Sequence, residues 1–104
     1  MPYYPHYNLT ATIKIPSDLF QHGVVNEEVL IPFEREGYTY LVPDIYEDSE
    51  SIKKIEEGQE IDLTPTLMES MLKSFKTKYK DEIKVLQRHY PDSTVMLSFL
   101  YGYE

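Results

Sequence analysis

The chain has 104 residues, 41% of them apolar and 27% charged, with a net charge of −8 and no cysteine. This length predicts one domain over residues 1–104, large enough to hold a core without covalent cross-links. The missing thiols exclude disulfide scaffolds, thiolate metal centres and cysteine nucleophiles, no apolar run approaches a membrane span, and an N-terminus without basic or apolar segments predicts a cytoplasmic protein with no signal peptide.

The first seven residues hold Tyr3, Tyr4 and Tyr7 with Pro2 and Pro5, which predicts an extended Tyr/Pro-rich arm over 1–7. Leu9, Ala11, Ile13 and Ile15 alternate with Thr10, Thr12 and Lys14, the period of a strand with one face on a core. Pro16 stops it, and Ser17 to Gly23 reads as a short helical turn. Val29–Phe33 and Tyr38–Val42 are the next two strands. The polar loop Glu34-Arg35-Glu36-Gly37 between them suits a type I turn with glycine at positive φ, and so a hairpin. Pro32, without an N–H, argues for an edge or bulged strand.

Asp48-Ser49 reads as the cap of a short helix running to about Glu57 and stopped by Gly58. Its Glu50/Lys54 and Lys53/Glu57 pairs are four apart, and Ile52 and Ile55 would anchor it. Thr64-Pro65 is a strong start for a longer helix, whose pattern runs to Tyr90. At 100° per residue Met68, Met71, Phe75, Tyr79, Leu86 and Tyr90 share one side, with Leu72 and Ile83 flanking. Lys73, Lys76, Lys80, Lys84 and Arg88 share the other. A straight helix over this stretch would be about 39 Å long, more than the ~30 Å expected of such a domain, so it must overhang, bend or break near Thr77–Asp81. The last strand places Val95, Leu97, Phe99, Tyr101 and Tyr103 against Thr94, Met96, Ser98 and Leu100. It is apolar on both faces, as a strand buried on both sides or lying at an interface would be. The resulting class is α+β: an antiparallel sheet of about four strands, in the order β-β-β-α-α-β, with one short and one long amphipathic helix on one face. Leu9, Ala11, Ile13, Ile15, Val95, Leu97 and Phe99 should form its core with Met71, Phe75 and Tyr79.

Charge divides unevenly along the chain. Residues 1–62 hold thirteen acids and four bases, a net −9, whereas residues 63–104 hold five acids and six bases, a net +1. Phosphate backbones are repelled by the first part, which disfavours direct nucleic-acid binding and favours a basic surface on another protein. The lysine row lacks interleaved aromatics and reads as a solvated helix face.

Signatures of catalysis are missing. His6, His22 and His89 are too scattered for a metal motif, and Asp44, Glu47, Asp48 and Glu50 lack the central glycine of a calcium loop. Gly23, Gly37, Gly58 and Gly102 are isolated, which leaves no phosphate cradle or nucleophile elbow. No Ser–His–Asp set stands out. No enzyme activity, cofactor or metal is therefore expected. The ten tyrosines are the compositional anomaly, and tyrosine suits protein interfaces.

These readings converge on a non-catalytic protein-binding domain that occupies the basic, nucleic-acid-binding surface of a partner protein with the stretch Glu27–Asp62. The contact residues expected are Glu27, Glu28, Asp44, Glu47, Asp48, Glu50, Tyr38 and Tyr40, with Glu47, Asp48 and Glu50 exposed. In composition the chain is similar to small acidic phage-encoded inhibitors such as anti-CRISPR and anti-restriction proteins. The alternative is a homo-oligomeric structural or regulatory subunit. A homodimer is expected, held by Tyr101, Tyr103 and an overhanging part of the long helix.

Overall fold

The alternating strand read at Leu9–Ile15 becomes the centre of the architecture. In the computed structural model, which describes residues 5–44, 47–48 and 50–103, it is a twelve-residue strand, β1, over Pro5–Pro16. Of the extended arm expected over 1–7, Pro5, His6 and Tyr7 belong to this strand; residues 1–4 lie outside the described ones. The remaining elements are β2 (Leu30–Arg35), β3 (Tyr38–Pro43), β4 (Ile52–Glu56), α1 (Pro65–Lys78), α2 (Lys80–His89) and β5 (Thr94–Tyr103). The fold is α+β, with a five-stranded antiparallel sheet and two helices.

β1 pairs with three strands, and register decides how they share its two edges. β5 runs beside it without interruption from Pro5↔Tyr103 to Lys14↔Thr94. β3 and β4 must therefore divide the other edge, β3 from Ile13 to Pro16 and β4 from His6 to Thr10. Paired residue numbers total 54 in the β1–β3 ladder and 62 in the β1–β4 ladder. The two are thus one antiparallel partner strand interrupted by an excursion of eight extra residues between Pro43 and Ile52. β2 pairs with β3 and forms the rim.

The hairpin between β2 and β3 is tighter than its sequence suggests. Pairing continues to Arg35↔Tyr38, leaving a two-residue turn in which Glu36 (φ 51°) and Gly37 (φ 84°) are both left-handed. Positive φ at both positions marks a type I′ turn, whose twist matches the flanking strands, rather than type I. Pro32 sits on the edge strand as expected.

The segment read as a short capped helix is strand β4, and this raises the strand count from about four to five. Its Ile52 and Ile55 are each 7% exposed but lie on opposite faces, Ile52 across from Thr10 and Ile55 across from Tyr7. Residues three apart share a helix face but are split by a strand. Here both faces are covered, so the same spacing suits either element, and the otherwise empty half-edge of β1 selects the strand.

The long helical pattern breaks at a single residue. α1 starts as its sequence says, with Thr64 Oγ1 accepting from the Leu67 N–H at 3.1 Å and proline in the first turn. Tyr79, at φ −109° and ψ 28°, ends α1 and begins α2. The break removes the expected overhang. Ile83, Leu86 and Tyr90 fold back onto the core that Phe75 and Tyr79 already contact.

Both helices pack on one sheet face. Ala11, Ile13, Ile15, Leu30 and Leu41 meet Phe75, Tyr79, Ile83, Leu86 and Tyr90 in the main cluster, while Leu9, Ile55 and Met71 form a smaller one. Val95 and Leu97 pack against this core from β5, but Phe99, expected inside, is 43% exposed. It lies on the edge strand, where one flank has no neighbour to cover it. The exposed row of Lys73, Lys76, Lys80, Lys84 and Arg88 is on the outer side of the helices as read.

Among the described residues no helix lies over the opposite sheet face, yet Thr10, Thr12 and Leu100 are buried there. The sheet coils across this face. Arg35, at the hairpin tip on one rim, donates to the Phe99 carbonyl in the strand on the other rim at 3.5 Å. Thr12 satisfies its buried hydroxyl on the Leu41 carbonyl at 2.9 Å. Higher on the same face, Ile31, Phe33 and Tyr38 remain about 40% exposed.

Candidate functional site

Topology gathers the acidic segment on one side of β1. β2, β3, the excursion and β4 all derive from the stretch Glu27–Asp62, and all lie on the edge opposite β5. At one end Glu36 stands in the hairpin turn beside Ser17, whose N–H donates to the Gly37 carbonyl at 2.9 Å. At the other end Glu56 pairs with His6. Ten residue steps of β1 separate these ends, up to about 33 Å of strand. Along it Glu28, Glu34, Glu36, Glu47, Glu50, Glu56 and Glu57 are all exposed.

A denser group forms where β3 leaves the sheet. Leu30 pairs with Pro43, so the loop bearing Glu27 and Glu28 ends beside the excursion bearing Asp44, Glu47 and Glu50. Register thereby brings these two parts of the expected surface together. Tyr38 and Tyr40 sit elsewhere, on the uncovered face of β3. Tyr38 is 40% exposed and carries the Lys14 ammonium 3.8 Å from its ring centroid, while Tyr40 is half-buried. Tyr101 and Tyr103 lie in β5 opposite Tyr7 and Pro5; their side chains lie outside the described ones.

Two of the expected contact acids are engaged inside the chain. Glu27 Oε1 is 2.7 Å from His22 Nδ1, and its Oε2 accepts from the Gly23 N–H at 3.1 Å. The His22 hydrogen bond holds its carboxyl below the usual range, against a partial desolvation that raises it. It closes the Gln21–Glu28 loop at the surface, where its side chain is still 30% exposed. Asp48 is corrected more sharply, because it is 2% exposed. Its Oδ1 accepts from the Glu50 N–H at 3.1 Å and the Ser51 N–H at 3.0 Å. Its Oδ2 accepts from the Tyr79 hydroxyl at 3.0 Å and lies 3.8 Å from Lys78 Nζ.

This buried carboxylate remains ionised by virtue of its partners. Burial alone pushes its pKa up, but the Ser51 N–H, the Tyr79 hydroxyl and the Lys78 charge together bring it below the ordinary aspartate value. The same geometry pushes the Tyr79 hydroxyl far above its usual range, first through burial and then through the neighbouring Asp48. Asp48 thus ties the excursion to the residue at which the helices break, and Lys78 adds a bond to the Glu47 carbonyl at 3.4 Å. Asp48 and Tyr79 are a buried pair, and the exposure expected of Asp48 is not found.

The Asp48–Tyr79 contact was not legible locally. A helix N-cap and an Asx turn use the same carboxylate bonds to N–H groups two and three residues on, so Asp48 looks alike in both. Among the described residues no group of three or more His, Asp or Glu side chains is placed to hold a metal ion, and no helix is long and apolar enough to cross a membrane. A cleft between the excursion and α1, lined by Glu50, Lys53, Leu67, Ser70, Met71 and Ser74, holds one acid and one base. No family model, no curated protein and no solved structure matches the chain.

Proposed function

We propose that the chain is a non-catalytic protein-binding domain whose acidic sheet edge occupies a basic, nucleic-acid-binding surface of another protein. The observation that carries this reading is the segregation of charge. Residues 1–62 carry −9, and the exposed acids among them lie along the β2–β3–β4 side of β1, while the lysine row lies on the outer side of the helices. A row of carboxylates up to ~33 Å long offers a cationic groove a substitute for phosphates, and its field steers encounter with such a groove. The residues presented are Glu28, Glu47 and Glu50 with Glu34, Glu36, Glu56 and Glu57.

Exposed carboxylates contribute little to folding, so binding and stability are separable. Glu28→Lys, Glu47→Lys and Glu50→Lys combined should leave the thermal melt within a few degrees and abolish capture of a basic partner. Excess duplex DNA should displace the wild-type chain from that partner, and added salt should weaken the complex. Undiminished capture by the triple variant, or simultaneous binding of DNA and this chain, would refute the reading.

A further inference from the structure

We propose that the outer edge of β5 is a self-pairing surface, on which the β5 of a second copy docks antiparallel to make one continuous sheet. The argument begins with the direction of backbone groups. Along an antiparallel ladder successive residues point their N–H and C=O alternately to the two neighbours. The Ala11 N–H donates to Ser51 O, on the β4 side, at 3.0 Å. The odd-numbered residues of β1 therefore face β3 and β4, and their partners across the unbroken β5 ladder turn away from β1. Val95, Leu97, Phe99 and Tyr101 thus present main-chain donors and acceptors along the rim. Among the described residues β5 pairs with β1 alone, and the hydrogen bond that reaches this row is the long one from Arg35 to the Phe99 carbonyl.

Edge strands that must stay single carry charges, prolines or bulges. Thr94–Tyr103 has no charged residue and no proline, and its register to β1 contains no bulge. The opposite rim shows what protection looks like in this same sheet, since β2 carries Pro32, Glu34 and Arg35 in six residues. A strand with unprotected backbone groups takes another strand as ligand.

Charge selects which strand. A chain of net charge −8 repels its own copies over most approaches. Two copies meeting at β5 keep the acids of the excursion and β4 across β1 from the contact, and only the hairpin acids Glu34 and Glu36, flanking Arg35, come near it. The incoming strand must itself be uncharged and apolar on both faces, and β5 meets that description. Registers centred on Ser98 or on Phe99 give the greatest overlap and set outward-facing residues against one another. Both put the exposed Phe99 ring next to the two-fold axis, and both displace Arg35 from a bond it holds at the limit of hydrogen-bond length.

The full chain should sediment with a concentration-dependent mass rising from 12.3 kDa toward twice that value over roughly 1–100 µM. Hydrogen exchange locates the contact: the outward amides of Val95, Leu97, Phe99 and Tyr101 should become as protected as the inward amides of Met96, Ser98 and Leu100, and only where the dimer is populated. Phe99→Pro removes an outward donor and no β1–β5 bond. By symmetry it acts twice, raising the dissociation constant about thirtyfold with the circular dichroism unchanged. The exchange measurement on the wild-type chain stands even if this variant misfolds. A monomer at 100 µM overturns the proposal and leaves the edge to a foreign strand. A dimer whose outward amides exchange rapidly overturns it as well, because the copies then meet elsewhere.

Discussion

Removing one oxygen atom from Tyr79 tests whether Asp48 holds the excursion to the helix break. Tyr79→Phe keeps the ring among Phe75 and its neighbours, 5.3 Å from the Phe75 centroid, and deletes only the 3.0 Å hydrogen bond to Asp48 Oδ2. That carboxylate is 2% exposed, so water cannot readily replace the lost donor, and Lys78 at 3.8 Å is left as its charge partner. A hydrogen bond to a buried charge contributes about 1.5–3 kcal/mol, and a loss near 2 kcal/mol is expected, or roughly 10 °C in melting temperature for a domain of this size. Urea unfolding followed by circular dichroism measures it. A pH series adds a second readout. Because the folded-state pKa of Asp48 lies below its unfolded value, its contribution is complete above about pH 4 and disappears as pH falls through the folded value. In Tyr79→Phe that decline should be smaller and should finish at higher pH, because the folded pKa moves up toward the unfolded one. Tyr79 itself has the opposite linkage: its raised pKa means that stability is lost in the wild type as pH climbs above about 10, and this alkaline limb should shrink in the variant. A loss under about 0.5 kcal/mol with both limbs unchanged would show that the Glu50 and Ser51 amides alone anchor Asp48.

Phe75→Ala should cost about 3–5 kcal/mol, because the ring is fully buried between the two helices and β1; denaturant midpoints at constant slope check this. Glu36 holds a left-handed φ of 51°, which glutamate tolerates poorly and asparagine well, so Glu36→Asn should stabilise the hairpin by about 0.5–1 kcal/mol and raise the melting temperature. A fall would mean that the Glu36 carboxylate makes a contact worth more than the backbone strain.

Much of the fold is readable because the relevant signals are local and periodic. β1, the hairpin, the Thr64-Pro65 helix start and the buried stripe Met71–Phe75–Tyr79–Leu86–Tyr90 follow from spacing alone. The break at Tyr79 was bracketed by length, and its position carries a charge signature: Lys76 and Lys78 in the last turn of α1, then Asp81 and Glu82 in the first turn of α2, each sign suited to the dipole it meets. β4 was misread because its pattern serves two elements equally, and the vacancy along β1 that decides between them is non-local. The acidic edge was visible as composition, but only the distant Tyr79 contact distinguishes the buried Asp48 from the exposed Glu47 and Glu50 on either side of it. The two-sided apolarity of β5 was legible, whereas the direction of its outward backbone groups needed the Ala11–Ser51 bond.

The central ladder also sets the order in which the molecule can be built. β1 and β5 pair residues between 80 apart, at Lys14↔Thr94, and 98 apart, at Pro5↔Tyr103. Such closures give little until nearly everything between them is in place, and high contact order slows folding. During synthesis, at about 5–20 residues per second, β1 waits roughly 4–20 s for the strand that covers its second edge. Through that interval the hairpin, β4 and the helices can assemble on its first edge, leaving the central strand of the sheet half-paired in a crowded cell. The last strand is therefore a closing piece, and substitutions in Thr94–Tyr103 should reveal themselves in the yield of folded protein as much as in the stability of what does fold.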